Sequence, residues 1–241
     1  VEAFGIHYGP GGSIRNPGLQ HSVLYSSRND EEFWGNCIPM SFDVEIAGCR
    51  IRSRVHEMNV IGYVGGINKV RLFDLMDDIT EIARSIDLTE SDLRKLAGIA
   101  GTDMLLNLCR QYFLASNAAQ KILREMKTRK YDLRRFDEHA SITICSANAG
   151  LIIPELIKIL VEEKAMNFMA AAGIVISTCA YTVCAAPGEK MQVWPVELLE
   201  KVIPKVMNIL RLMQSIVHSS YEEEDLQIID RNGNVHMERD S

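Results

Sequence analysis

The chain has 241 residues, 47% of them hydrophobic and 24% charged, with a net charge of −6. That is an ordinary globular balance, long enough to bury a core without disulfide staples, and its acidic total argues against a nucleic-acid partner recruited by overall charge. Six cysteines (37, 49, 109, 145, 179 and 184) lack CxxC spacing and lie mostly in apolar segments, which predicts reduced, buried thiols, a cytoplasmic or nuclear setting and no secretory signal.

Residues 1–40 read as an extended arm. Gly9-Pro10-Gly11-Gly12 and Asn16-Pro17-Gly18 are turn signals, and the spaced aromatics Phe4, Tyr8, Tyr25, Phe33 and Trp34 suit an arm laid along a surface. A hairpin follows. Phe42, Val44 and Ile46 alternate, Ala47-Gly48 makes the turn, and Arg50, Arg52 and Arg54 share one strand face because strand side chains repeat every two residues.

From Ile67 to Ile86 the spacing of Leu72, Met76, Ile79, Ala83 and Ile86 predicts an amphipathic helix. Thr89 suits the N-cap of a short helix broken by Gly98 and Gly101. Thr102 then caps a helix buried through Leu105, Leu108, Cys109 and Tyr112, and a second helical stretch spans residues 117–130 with Ile122, Leu123 and Met126 inward. Residues 132–139 form a polar connector, and residues 141–153 are ambiguous between strand and helix.

Pro154 suits the first turn of a helix reaching Lys164. Between Lys164 and Glu189 there is no charge, and residues 165–186 predict the buried central helix around which the others pack. Its many small and hydroxylated residues argue against a membrane span. Pro195 opens another helix and Pro204 kinks or restarts it. The acidic run Glu222–Asp225 precedes a candidate hairpin around Asn232-Gly233.

Two charge patterns suggest chemistry. Between Arg110 and Arg135 there are eight basic and two acidic residues, whereas residues 222–241 carry seven acidic and two basic ones. Arg50, Arg52 and Arg54, with Lys121, Arg124, Lys127, Arg129, Lys130, Arg134 and Arg135, suit a groove that tracks phosphates, with Tyr131 and Phe136 interleaved for base stacking. The same cations also fit a solvated helix face and a charged edge strand. Asp74, Asp77, Asp78 and Glu81 stand at i, i+3, i+4 and i+7, so on a helix they share one face able to hold Mg²⁺. In this one short motif the chain resembles the all-helical isoprenoid synthases and nucleotide pyrophosphohydrolases. A solvated face opposite an apolar stripe is the plainer reading of those carboxylates.

The resulting expectation is a mainly α, multi-helix bundle around a buried central helix, with a small β-hairpin near its N-terminus and extended terminal arms. The arms span 1–40 and 219–241, and the core spans 41–218. The function expected is non-enzymatic. It is a coat or nucleocapsid-like structural protein that forms homo-oligomers and binds single-stranded RNA, without a cofactor. The alternatives are a Mg²⁺-dependent all-helical enzyme acting on a diphosphate and a protein–protein scaffold.

Overall fold

Two residues with positive φ set the first element pair. Ala47 (φ 51°) and Gly48 (φ 77°) form the turn of the hairpin that the sequence begins to spell out at Phe42. In the computed structural model, which describes residues 2–7, 36–61, 66–75, 86, 103–144, 149–181, 193–220 and 227–236, β2 (Asn36–Ile46) and β3 (Cys49–Ile61) pair antiparallel across that turn. A two-residue hairpin turn with both centres at positive φ matches the twist of its strands. The ladder shifts register between Ile38 and Ser41. Pro39 lies there, on an edge strand, where a missing N–H is tolerated.

The hairpin is not an appendage. β3 also pairs antiparallel with β4 (Ile67–Leu75), which pairs parallel with β1 (Glu2–His7), giving a four-stranded sheet of order β1-β4-β3-β2. The helix expected over 67–86 is therefore a strand in its first nine residues. Arg71, Leu72 and Phe73 are buried in succession, so both faces of β4 are covered. That hides the two-residue alternation which marks a half-exposed strand.

Helix α1 (Asp103–Thr128) runs unbroken for 26 residues where the sequence suggested two helices. Residues 111–119 are all buried, which makes α1 the central helix. The charge-free stretch expected in that role, residues 165–186, holds among its described residues an 11-residue helix (Phe168–Thr178) and a short strand (Cys179–Tyr181). After a 3₁₀ turn (Leu133–Arg135) and the short α2 (Phe136–His139), strand β5 (Ile142–Ile144) leads into α3 (Ile152–Glu162), then α4 (Phe168–Thr178) and β6 (Cys179–Tyr181). Asn167 caps α4 by accepting from the Met169 amide at 2.9 Å. The helix lasts 11 residues and leaves Met169 and Ile176 60% and 66% exposed, so it is not the buried centre. It ends where Cys179–Tyr181 pairs parallel with β5.

The last elements are β7 (Val193–Pro195), α5 (Val196–Val202), α6 (Pro204–Ser220) and β8 (Asn234–His236). Pro195 is the N-cap of α5 and Pro204 the first residue of α6, positions where a proline costs no helical hydrogen bond. Around Asn232-Gly233 the chain folds back antiparallel, Ile229 bridging Val235 while the Asp230 amide donates to Asn234 O and the His236 amide to Ile228 O, both at 2.9 Å; β8 also pairs antiparallel with β7, setting the buried Trp194 opposite Val235. Three sheets among the described residues thus replace the expected helical bundle with a single hairpin. One core joins Phe42, Val44, Ile51 and Phe73 of the main sheet to Phe113, Leu156, Leu160, Val206 and Met207 of the helices. Among the described residues no helix is long and apolar enough to cross a membrane. Most of the expected N-terminal arm, the Thr89 helix and the Glu222–Asp225 run lie outside the described residues.

Candidate functional site

Where α1 crosses α3, two apolar helix faces carry a polar cluster. Tyr112 and Ser116 are four apart on α1 and therefore share a face. Glu155, in the first turn of α3, meets them with its side chain only 1% exposed. The Tyr112 hydroxyl donates to Glu155 Oε2 at 2.9 Å and the Ser116 hydroxyl donates to Oε1 at 2.7 Å. Lys158, one turn on, places Nζ 2.7 Å from Glu155 Oε2 and donates to the Tyr112 hydroxyl at 3.0 Å, standing 5.6 Å from that ring's centroid. A carboxylate buried this deeply needs a paired charge and filled lone pairs, and Glu155 has both. Burial, with the Glu155 carboxylate alongside, holds the Tyr112 phenol protonated far above its ordinary range.

The main sheet is tied to α1 beside this cluster. Ser53 donates to Asn117 Oδ1, and Asn117 Nδ2 donates to Phe113 O at 2.7 Å. Gln120 Nε2 donates to Asp43 O at 3.0 Å and to the Ser116 hydroxyl at 3.2 Å, so a side chain of α1 satisfies a carbonyl on the open edge of β2. At the hairpin tip the Ala47 amide donates to Val202 O at 2.8 Å, and Glu45 pairs with Lys205 at 2.8 Å.

These ties enclose an open polar cavity of about 340 Å³ between the β2 edge, α1, α3 and the start of α6. Asp43, Glu45 and Arg50 form one wall, Ser116 and Gln120 the floor, and Lys158, Glu162 and Lys205 the far side. The hydrogen bond from Arg52 holds the Asp43 carboxyl below its ordinary value, and that from Lys205 does the same for Glu45. Sequence reasoning passed over this site. Its signal was the pair Glu155 and Lys158, two charges set three apart inside the apolar run 151–161.

The basic residues singled out in the sequence do not share a surface. Ile51, Ser53 and Val55 are buried toward α1, so Arg50, Arg52 and Arg54 alternate onto the opposite sheet face. Arg50 and Arg52 pair with Asp43 there. On α1, Lys121 is 1% exposed and paired with Glu125. Arg124 lies 5.9 Å from the Phe42 ring centroid. Lys127, Arg129, Lys130 and Arg134 are exposed near the helix end, and Arg135 is bound to Glu138. Of the expected carboxylate face, Asp74 alone falls on described residues. Asp74 is in strand β4 beside Arg54, and Asp77, Asp78 and Glu81 lie outside the described residues. Among the described residues no group of three or more His, Cys, Asp or Glu side chains is arranged to hold a metal ion.

Comparison with known proteins supplies what these local patterns did not. The profile of the carbohydrate phosphorylase family matches residues 100–239. Maltodextrin phosphorylase of Streptococcus pneumoniae is 31% identical over 237 aligned positions, covering 91% of this chain and 31% of that protein. The muscle form of glycogen phosphorylase from Homo sapiens is 32% identical over 113 positions, covering 44% of this chain and 13% of that protein, and the form from Oryctolagus cuniculus is 30% identical over the same length. The chain spans less than a third of the length of these relatives. The match overturns the coat or nucleocapsid reading, with its RNA-binding groove, and replaces the diphosphate-enzyme and scaffold alternatives. Most of the chain, from α1 through β8, lies within the matched segment, and the chain belongs to the carbohydrate phosphorylase family.

Proposed function

We propose that this chain is one part of a phosphorylase acting on a glucose polymer of the maltodextrin or glycogen type. The observation that carries the reading is the extent of the similarity to maltodextrin phosphorylase, which takes in 91% of the chain and so includes residues ahead of the family match at 100–239. In phosphorolysis an oxygen of inorganic phosphate bonds to the anomeric carbon as the glycosidic C–O bond breaks. The departing sugar oxygen takes up a proton, leaving a sugar 1-phosphate and a polymer one unit shorter. The transition state gathers positive charge at that carbon, as in other glycosyl transfers.

Within this reading the chain supplies a framework around α1, which Tyr112 and Ser116 tie to Glu155 of α3 and Asn117 ties to Ser53 of the main sheet. Free thiols at Cys37, Cys49, Cys109 and Cys179 support a reducing, cytoplasmic setting. The exposed apolar residues Met169 and Ile176 on α4 support self-association, which light scattering measures directly. The test of activity is to incubate the polypeptide that carries this chain with maltoheptaose, with and without inorganic phosphate, and to follow oligosaccharide length by chromatography. Phosphate-dependent shortening by single glucose units is expected. Shortening that is independent of phosphate, or none at all, contradicts the proposal.

A further inference from the structure

The turn between Ile229 and Val235 carries the one Asn-Gly pair in the sequence, Asn232-Gly233. Asn232 is exposed, and its side-chain amide makes no hydrogen bond to another described residue, whereas its backbone N–H donates to Asp230 Oδ1 at 2.9 Å. The asparagine two residues on is guarded. Asn234 Nδ2 donates to Asp230 Oδ2 at 3.2 Å, and a buried β-branched residue, Val235, follows it. Asn117 is buried in α1 with its side chain tied to Ser53 and Phe113 O. Gly233 has no side chain to shield its nitrogen, which is held by a single bond to Asp230 O at 3.1 Å.

The Gly233 peptide is also a joint between elements. Its carbonyl accepts from the Val196 amide at 2.9 Å. Val196 opens α5, so its N–H has no partner inside the helix, and Pro195 at the N-cap provides no side-chain bond. Beyond that start, Leu198, Leu199 and Val202 are buried, and Val202 O accepts from the Ala47 amide of the main-sheet hairpin.

We propose that Asn232 is a site of spontaneous deamidation, and that the modification frees the start of α5 from the closing hairpin. The Gly233 nitrogen gives its proton to a solvent base and bonds to Asn232 Cγ, while the C–N bond of the side-chain amide breaks and ammonia leaves. Water then adds across one of the two imide C–N bonds, which leaves aspartate or isoaspartate at position 232. While the ring is closed, Gly233 has no N–H to donate to Asp230 O. Either product sets a new carboxylate close to Asp230, and isoaspartate also adds a methylene to the backbone. Turn length fixes hairpin register, so the lengthened turn moves Gly233 O away from Val196.

The test is to age the folded protein in mildly alkaline buffer and follow the peptide around each asparagine by mass spectrometry, with electron-transfer fragmentation to separate aspartate from isoaspartate. Conversion is expected at Asn232 ahead of every other asparagine, with both products formed. Amide hydrogen exchange at Val196 should speed up in the converted fraction. Asn232→Gln should lose the conversion, because the longer side chain closes a less favourable ring. It should keep the fold, because the positive φ of the turn belongs to Gly233. Earlier conversion at another asparagine, continued conversion of the same peptide in Asn232→Gln, or unchanged Val196 exchange in the converted protein would each overturn the proposal.

Discussion

Lys158 and Glu155 show how a single pair sets the behaviour of the site. Glu155 is buried and takes its compensating charge from Lys158 at 2.7 Å. Lys158→Met strands that carboxylate, and the expected loss is about 3–5 kcal/mol in urea unfolding. Adding Glu155→Gln should recover most of it, since removing both charges avoids the stranded one. Depressed carboxyl values at Asp43 and Glu45 have a different consequence. Their ordinary values are 3.8 and 4.5, and both lie lower in the folded chain. Their stabilising contribution is therefore complete above those ordinary values and is lost as pH falls through the folded ones. Melting temperature should hold steady from neutrality to about pH 5 and then drop, less steeply in Arg52→Ala. The thiols separate too. Burial pushes Cys109 up to about 12, while Cys37 and Cys49 are exposed, so native-state alkylation should label the latter two and reach Cys109 only on unfolding. Sequence alone suggested buried thiols throughout, because apolar neighbours in the chain do not reveal which strand face a residue occupies.

At the scale of elements, the glycines at 48 and 173 make opposite predictions. Both have open space where a Cβ would stand, but Gly48 sits at φ +77°. Gly48→Ala should cost about 1–2 kcal/mol by forcing an L-residue into the left-handed region. Gly173 lies inside α4, and Gly173→Ala should stabilise by up to about 1 kcal/mol through helix propensity alone. Thermal melts of the two variants moving in the same direction would contradict this. The turn at Ala47-Gly48 and the helix starts at Pro195 and Pro204 were legible because local backbone chemistry dictates them. Strand β4 was not. Its pairing with both β1 and β3 buries Leu72 and Phe73 on opposite faces, and long-range pairing of that kind leaves no two-residue rhythm to read. The charge-free run 165–186 misled for a related reason. Absence of charge marks low solvation cost, whereas the nine consecutive buried positions of α1 include Ser116 and Asn117, polar residues whose partners Glu155 and Ser53 come from distant segments.

The molecule as a whole ties a four-stranded mixed sheet and a helical layer together through α1. Family membership was invisible to motif reading because the likeness to maltodextrin phosphorylase is spread over the chain and gathers in no short signature. Charge counting pointed the wrong way for a physical reason: cations adjacent in sequence, such as Lys121 and Arg124, differ completely in burial, and strand arginines face away from the helix they were grouped with. The most direct measurement is ³¹P NMR of the polypeptide carrying this chain, mixed with maltodextrin and inorganic phosphate. The account predicts a new phosphate-ester resonance that grows as the inorganic phosphate signal falls. An unchanged inorganic phosphate signal, with the protein folded and the polymer intact, would contradict it.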